Sequence, residues 1–474
     1  MKPIGLFWTL LVSSASSADA ISLHKRQDGI EPRVLSLDLQ RGKISDPVTH
    51  DHTRLRRRSG SVDVGIDNFQ TFYFFNASLG TPPQEFRLHI DTGSSDLWVN
   101  TQDSALCSTP ANVCSESGVY SANGSSTYRY IDHDFNITYA DGSGASGDYA
   151  TDTLSIGKVR VENLQFGVGR QASSEQGVLG IGYPINEAQV SRNKEKPYDN
   201  LPAKLAAEGT IASNAYSIWM NDLESATGTI LFGGVDRTQY IGDLITLPIE
   251  KVRGEYALFY ITLTGLSVGS SSLGDGLALA VVLDTGSSLT YLPSALAKAI
   301  FDDVGASYQD GARIAYVPCD LADETGNLTF RFSDPAEITV PLSELVLDLT
   351  DINGRQMSFD NGEPACMFGI APAPSKTYIL GDTFLRSAYV VFDMGNNEVS
   401  LAQSNFDASG SDIVEIGAGD GAVPATMDAS EPVVATSGIP LRVKSGAGSI
   451  LPFGDGFMSV LVGFSVLGFA WGLV

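Results

Sequence analysis

The sequence predicts a mostly β protein made of two related lobes, each presenting one carboxylate to a shared site. Three observations lead there. His89-Ile90-Asp91-Thr92-Gly93-Ser94-Ser95-Asp96-Leu97-Trp98-Val99 runs an apolar strand into Asp-Thr-Gly-Ser-Ser and an apolar exit. Val281-Val282-Leu283-Asp284-Thr285-Gly286-Ser287-Ser288-Leu289-Thr290-Tyr291 repeats that pattern about two hundred residues later. One Asp-Thr-Gly is an ordinary turn or cap, but two in matching apolar settings mark a duplicated unit. Third, the chain carries 49 glycines, which suit a turn-rich β protein and weaken helices.

The 474 residues leave room for two or three domains with a sizeable core. Residues 1–20 read as a secretory signal: Lys2, an apolar core from Ile4 to Val12, and the small-x-small site Ala18-Asp19-Ala20. That core is too short to span a bilayer. Residues 21–58 hold nine Lys or Arg against five Asp or Glu, with Lys25-Arg26 and Arg56-Arg57-Arg58 as candidate processing sites. They are expected to form a basic propeptide covering an acidic body. A flexible arm that stays attached is the alternative.

The body divides into a first lobe over residues 59–242 and a second over 243–404. Phe72-Tyr73-Phe74-Phe75 and Phe86-Arg87-Leu88-His89-Ile90 read as strands flanking the turn Gly80-Thr81-Pro82-Pro83. Similar runs recur at 128–139, 216–220, 229–232, 260–268 and 388–392. Helical patterns are confined to 201–208 and 293–302. Residues 405–445 are rich in Gly, Ala, Ser and Asp and predict a flexible stalk with no fold of its own. Residues 446–474 end in the uncharged apolar run 458–474. Small residues at Ser445 and Gly446, a spacer and this tail form the pattern of a glycosylphosphatidylinositol (GPI) attachment signal, removed on maturation. A membrane helix is the competing reading, but the run is short and has no basic flank.

Four cysteines fit an oxidising compartment. Cys107 pairs naturally with Cys114 and Cys319 with Cys366, although three connectivities are open from sequence. Neither pair has the histidine or further cysteine that zinc needs, so no metal and no cofactor is expected. Asn76, Asn123, Asn136 and Asn327 head Asn-x-Ser/Thr sequons and are candidate glycosylation sites. The net charge is −25 and the pI about 4.4, which argues against a nucleic-acid partner.

Two carboxylates within hydrogen-bonding distance resist double ionisation and share a proton. The ionised one can take a proton from water while the other donates to a carbonyl oxygen, giving amide hydrolysis without metal or covalent intermediate. Asp91 and Asp284 are the candidates. Thr92 and Thr285 can brace the two loops. Gly93 and Gly286 admit backbone N–H groups to the carboxylates, and Ser94 and Ser287 can bond their outer oxygens.

Over residues 72–402 the body resembles the pepsin-family aspartic endopeptidases. Beyond the triplets, Val178-Leu179-Gly180-Ile181 and Ile379-Leu380-Gly381-Asp382 match elements that pack behind the active-site loops in that family. Ile137-Thr138-Tyr139-Ala140-Asp141-Gly142-Ser143 matches its flap, with the Tyr139 hydroxyl expected near the indole N–H of Trp98. The end, Val391-Phe392-Asp393 through Leu401-Ala402, matches its last strands. The resemblance implies a bilobal pepsin-like fold: two pseudo-twofold-related β lobes, a central substrate cleft and a flap. An extended polypeptide substrate would pair its main chain with the flap.

The chain departs from the common pattern in lacking a small disulfide just ahead of the second triplet, in the length of its Cys107–Cys114 loop, and in Asp141. An acid at that flap position helps fungal relatives accept a basic side chain beside the scissile bond. With the dibasic pro-boundary and anchor signal, the nearest subgroup is the GPI-anchored yapsin-type fungal proteases, which cleave at Lys or Arg. Glu175 is expected to add charge to the same pocket. The resemblance therefore implies a cell-surface endopeptidase, held at the plasma membrane or cell wall by a lipid anchor and acting as a monomer.

Two rival readings fit these residues less well. Gly265-Leu266-Ser267-Val268-Gly269 matches the serine-hydrolase elbow, but a loop-like Ser270-Ser271-Ser272 follows it instead of a helix. A catalytically inactive pepsin-like binding protein would normally have lost an aspartate, a triplet glycine or the flap tyrosine, and none is lost here.

Overall fold

The computed structural model describes residues 33–42, 72–109, 113–139, 143–311, 313–349 and 355–439. The first lobe contains β1 (Leu35–Gly42), β2 (Phe72–Leu79), β3 (Gln84–Asp91), β4 (Leu97–Asn100), β5 (Arg129–Thr138), β6 (Gly144–Ile156), β7 (Val159–Ala172) and β8 (Gly177–Gly180). Next come β9 (Ala215–Trp219), β10 (Thr227–Phe232), β11 (Gly234–Asp236) and β12 (Tyr240–Pro248), the last crossing the expected lobe boundary at residue 242. The second lobe opens with β13 (Tyr260–Val268), β14 (Ser271–Leu283) and β15 (Thr290–Leu292). Its longest helix, Ser294–Val304, ends at Gly305 with φ of 70°, a left-handed cap that glycine adopts without strain.

One 14-stranded sheet passes through both lobes. Its order is Thr426–Asp428, β12, Glu398–Ser404, Ala388–Asp393, β9, β10, β1, β2, β3, β8, β4, β7, β6, β5. β2 also pairs with β6, folding the first lobe back on itself. A seven-stranded sheet holds β13, β14 and β15 in the second lobe, and a four-stranded one starts at Ser307–Gln309. β13 is buried along nearly all its length, so even its Thr262 and Ser267 are shielded from solvent. Ser267 lies inside this strand, 3% exposed, and a hairpin into β14 follows it, so no nucleophile elbow forms.

The two halves share a local topology. β3 runs parallel to β8, with Asp91 opposite Gly180, and β4 returns antiparallel on the other side. β14 runs parallel to Ile379–Leu380, and β15 returns antiparallel at Tyr291. In each half a glycine lets the strand pass directly behind the loop. A Cβ on Gly180 would lie 2.5 Å from Ser95 N, and one on Gly381 would lie 2.2 Å from Ser287 O.

Two segments depart from their compositional expectation. Part of the basic 21–58 segment is a strand: β1 pairs with β10 on one side and β2 on the other, burying Leu35, Leu37 and Leu39. The unstructured stalk expected over 405–445 is overturned for residues 405–439. Ile413–Glu415 pairs with β11 and Thr426–Asp428 runs parallel to β12. Ile416, Val423 and Ala429 are buried. The segment has too few apolar residues for a core of its own, but it uses sheet edges and a core the body already provides. The signal peptide, the rest of 21–58, and the anchor signal with Ser445 and Gly446 lie outside the described residues.

Truncation after Ser404 should lower the melting temperature by several degrees. Ile416 and Val423 alone each contribute roughly 1.5–3 kcal/mol of apolar burial. Thermal unfolding of full-length and truncated protein measures this; superimposable curves would show that residues 405–439 add no stability.

Candidate active site

β3 and β14 deliver Asp91 and Asp284 to one place, and the loops that follow lock reciprocally. Thr92 N–H donates to Thr285 Oγ1 at 3.1 Å, and Thr285 N–H donates to Thr92 Oγ1 at 3.0 Å. Each hydroxyl then donates across to the opposite strand: Thr92 to Leu283 O and Thr285 to Ile90 O, both at 2.9 Å. All four bonds are buried, where a lost partner costs more than at a surface.

The carboxylates are dressed alike. Asp91 Oδ1 accepts from Gly93 N–H at 2.8 Å and Oδ2 from Ser94 Oγ at 2.5 Å. Asp284 Oδ1 accepts from Gly286 N–H at 2.9 Å and Oδ2 from Ser287 Oγ at 2.8 Å. The glycines interdigitate with the opposite acid. A Cβ on Gly93 would lie 2.5 Å from Asp284 Oδ1, and one on Gly286 would lie 2.5 Å from Asp91 Oδ1. The two inner oxygens therefore share one small space.

On the first-lobe side, Trp98 Nε1 donates to Tyr139 Oη at 2.7 Å, as expected for the flap tyrosine. A narrow recess of about 20 Å³ lies among Asp91, Trp98, Tyr139, Ser174, Gln176 and Val178. Glu175 is exposed between two of its wall residues. Asp141 and Gly142 lie outside the described residues. Both disulfides form, Cys107–Cys114 and Cys319–Cys366. Among the sequons, Asn76 and Asn123 are exposed, and Asn136 and Asn327 are partly buried. Among the described residues no cluster of His, Cys, Asp or Glu could hold a metal ion.

Sequence reasoning assigned no role to a buried acid pair beside the first loop. Asp96 is fully buried; its Oδ1 accepts from Tyr149 Oη at 2.9 Å and Tyr198 Oη at 3.0 Å, and its Oδ2 from Ala188 N–H at 2.7 Å. Tyr149 belongs to β6 and meets Phe135 of β5 edge-on, so the carboxylate ties the loop to the base of the flap hairpin. Glu187 is also fully buried and accepts from Tyr198 N–H at 2.9 Å. Burial, with the Asp96 charge adding to it, pushes the Glu187 carboxyl up to about 10. Burial also raises Asp96, partly offset by its three donors. The available signal was an acid inside an otherwise apolar exit, Asp96-Leu97-Trp98-Val99. A second missed pair is Arg386 and Glu344, buried together at 2.5 Å, with Leu223 N–H donating to the second Glu344 oxygen at 2.9 Å.

Two lobes that each contribute one aspartate to an interlocked pair, beside a tyrosine-bearing hairpin, define an aspartic endopeptidase. The comparisons agree. Residues 72–404 match the family model described as eukaryotic aspartyl protease. The chain is 49% identical to the Probable aspartic-type endopeptidase opsB of Aspergillus oryzae, covering 91% of this chain and 88% of that protein. The same identity holds to its namesake in Aspergillus fumigatus, over 90% and 88%. Aspartic proteinase MKC7 of Saccharomyces cerevisiae is 33% identical over 80% of this chain and 73% of its own length. The chain belongs to the eukaryotic aspartyl protease family.

Glu187 sets a pH dependence of stability. It stays protonated in the fold up to about 10 but ionises in the unfolded chain near its ordinary 4.5. The fold therefore binds the extra proton between those values, and stability is lost as pH climbs through that window. Glu187→Gln keeps the acceptor for Tyr198 N–H and removes the titration. Melting temperature should fall more steeply between about pH 5 and 9 in the wild type than in the variant; parallel curves would refute the assignment.

Proposed function

We propose that this aspartic endopeptidase acts at the cell surface and cuts polypeptides beside Lys or Arg, by direct attack of an aspartate-activated water. The observation that carries the mechanism is the mutual interlock of Gly93 with Asp284 and Gly286 with Asp91. It leaves the two carboxylates one space in which to hold one water and one proton. The ionised carboxylate takes a proton from that water as its oxygen attacks the scissile carbonyl carbon. The protonated one gives its proton to the carbonyl oxygen. Collapse of the tetrahedral diol then breaks the C–N bond as the amine is protonated. Ser94 and Ser287 hold the outer oxygens, so the inner ones stay directed at substrate.

The basic preference rests on Asp141, placed by sequence on the flap beside the scissile bond, with Glu175 near the recess under Tyr139. A carboxylate beside the scissile bond favours a cationic side chain and disfavours an anionic one. Surface attachment rests on the signal peptide, the basic 21–58 leader and the C-terminal anchor pattern. Candidate attachment residues are Ser445 and Gly446. Among the described residues no helix is long and apolar enough to cross a membrane.

Profiling a peptide library across pH tests enzyme and specificity together. Cleavage should follow Lys or Arg, and its pH profile should be acidic because the mechanism needs one carboxyl protonated. Asp91→Asn should reduce turnover by roughly 10²–10⁴ or more. Preference for Phe or Leu would remove the basic assignment alone. Undiminished hydrolysis by Asp91→Asn would remove the mechanism and favour a binding protein with a contaminating activity.

Phosphatidylinositol-specific phospholipase should release the protein from intact cells expressing it. Retention after treatment, with a known lipid-anchored protein released in parallel, would exclude the anchor.

A further inference from the structure

A cavity on the described surface lies away from Asp91 and Asp284. It holds about 400 Å³, within the range that accommodates small ligands. Both strands of the flap hairpin line it, together with β7 and the helix Ala188–Asn193. The residues that matter are His133 and Asn136 of β5, Asp148 of β6, Arg170 of β7, and Arg192 and Asn193 of the helix.

We propose that this cavity seats an N-linked, N-acetylglucosamine-based sugar carried by Asn136, which clamps the root of the flap to the neighbouring helix. Asn136-Ile137-Thr138 is one of the four sequons. On β5, Phe135 and Ile137 turn inward, 1% and 4% exposed, into the cluster containing Trp98 and Tyr149. Strand alternation therefore sends Asn136 and Thr138 to the opposite face, where Asn136 lines the cavity.

The walls suit a neutral, hydroxyl-rich ligand better than an ion. Asp148 is already neutralised: Arg170 Nε and Nη2 reach it at 2.7 and 2.5 Å, and His133 Nδ1 at 2.6 Å. Arg192 has no carboxylate partner among the described residues and donates instead to Asn136 O at 3.0 Å. Asn193 Nδ2 is buried without a hydrogen-bond partner. A buried donor left unpaired is costly, and an acetamido or hydroxyl oxygen at this point would satisfy it. Beside the lining residue His133, Tyr130, 48% exposed, sets its ring 5.0 Å from the imidazole, an apolar face against which a pyranose can lie.

The linkage forms between Asn136 Nδ2 and the anomeric carbon of the first sugar. A lipid-linked oligosaccharide supplies it; its pyrophosphate leaves with the bonding pair, and the amide nitrogen gives up one proton. This requires passage through the secretory pathway, so the inference rests on the export reading above.

The test uses full-length protein secreted by a yeast host, with site-by-site glycopeptide mass spectrometry before and after endoglycosidase treatment. Asn136 should be occupied. Its sugar should be released at least about tenfold more slowly from native than from denatured protein, because enzyme access needs local opening. Sugars on the exposed Asn76 and Asn123 should show little such difference. The double variant Arg192→Ala, Asn193→Ala, checked for retained peptidase activity, should release the Asn136 sugar faster in the native state. An unmodified Asn136 on a chain modified at other sequons overturns the proposal, as does equal release from native and denatured protein. If no sequon is modified, the export reading itself fails and the proposal falls with it.

Discussion

The structure depends on the reciprocal threonine lock between two loops almost two hundred residues apart in sequence. Thr92 and Thr285 each donate a backbone N–H to the other's hydroxyl, and each hydroxyl donates onward to the other half's strand. A single such hydrogen bond contributes only about 0.5–1.5 kcal/mol net. Four of them buried in a closed ring fix the relative position of two loops that local forces would leave independent. The spacing of Asp91 and Asp284 follows from that ring, because Gly93 and Gly286 can contact the opposite carboxylates only while it holds.

Buried charge supports the same region from two sides. On the first-lobe side, Asp96 gathers two tyrosine hydroxyls and a helix N–H, linking the loop after Asp91 to β6 and to the helix beginning at Ala188. On the other side, Arg386 follows the Gly381-Asp382 element and pairs with Glu344, which holds Leu223 N–H. Removing one partner of such a buried pair is typically far more damaging than replacing both by apolar groups. Neither group reaches the dyad's hydrogen bonds, so both act by holding the framework.

The long sheet explains how segments that look expendable come to be ordered. β1 lies between β10 and β2, and residues 405–439 add strands beside β11 and β12. A strand arriving at an existing edge needs little apolar content of its own, since the edge supplies hydrogen-bond partners and the adjacent core supplies a surface. Composition describes whether a segment can fold alone. It is silent on whether a neighbour will fold it.

Much of the site was legible because its chemistry is local. Each Asp-Thr-Gly-Ser run specifies, within four residues, which N–H and hydroxyl reach its own carboxylate, and the structure forms those bonds. The strands at 260–268 and 388–392 and the helix at 201–208 were legible for the same reason, since period and composition act over a few residues. The Asp96–Glu187 pair, the Arg386–Glu344 pair, the β1 placement and the docking of residues 405–439 were not legible. Each joins residues scores to hundreds of positions apart, or depends on a burial that no local pattern encodes. Sequence by itself determined the two Asp-Thr-Gly-Ser runs and the immediate donors to each carboxylate. Tertiary structure decided that the two groups meet, because the distance between Asp91 and Asp284 is set by threonines and strands from both halves at once.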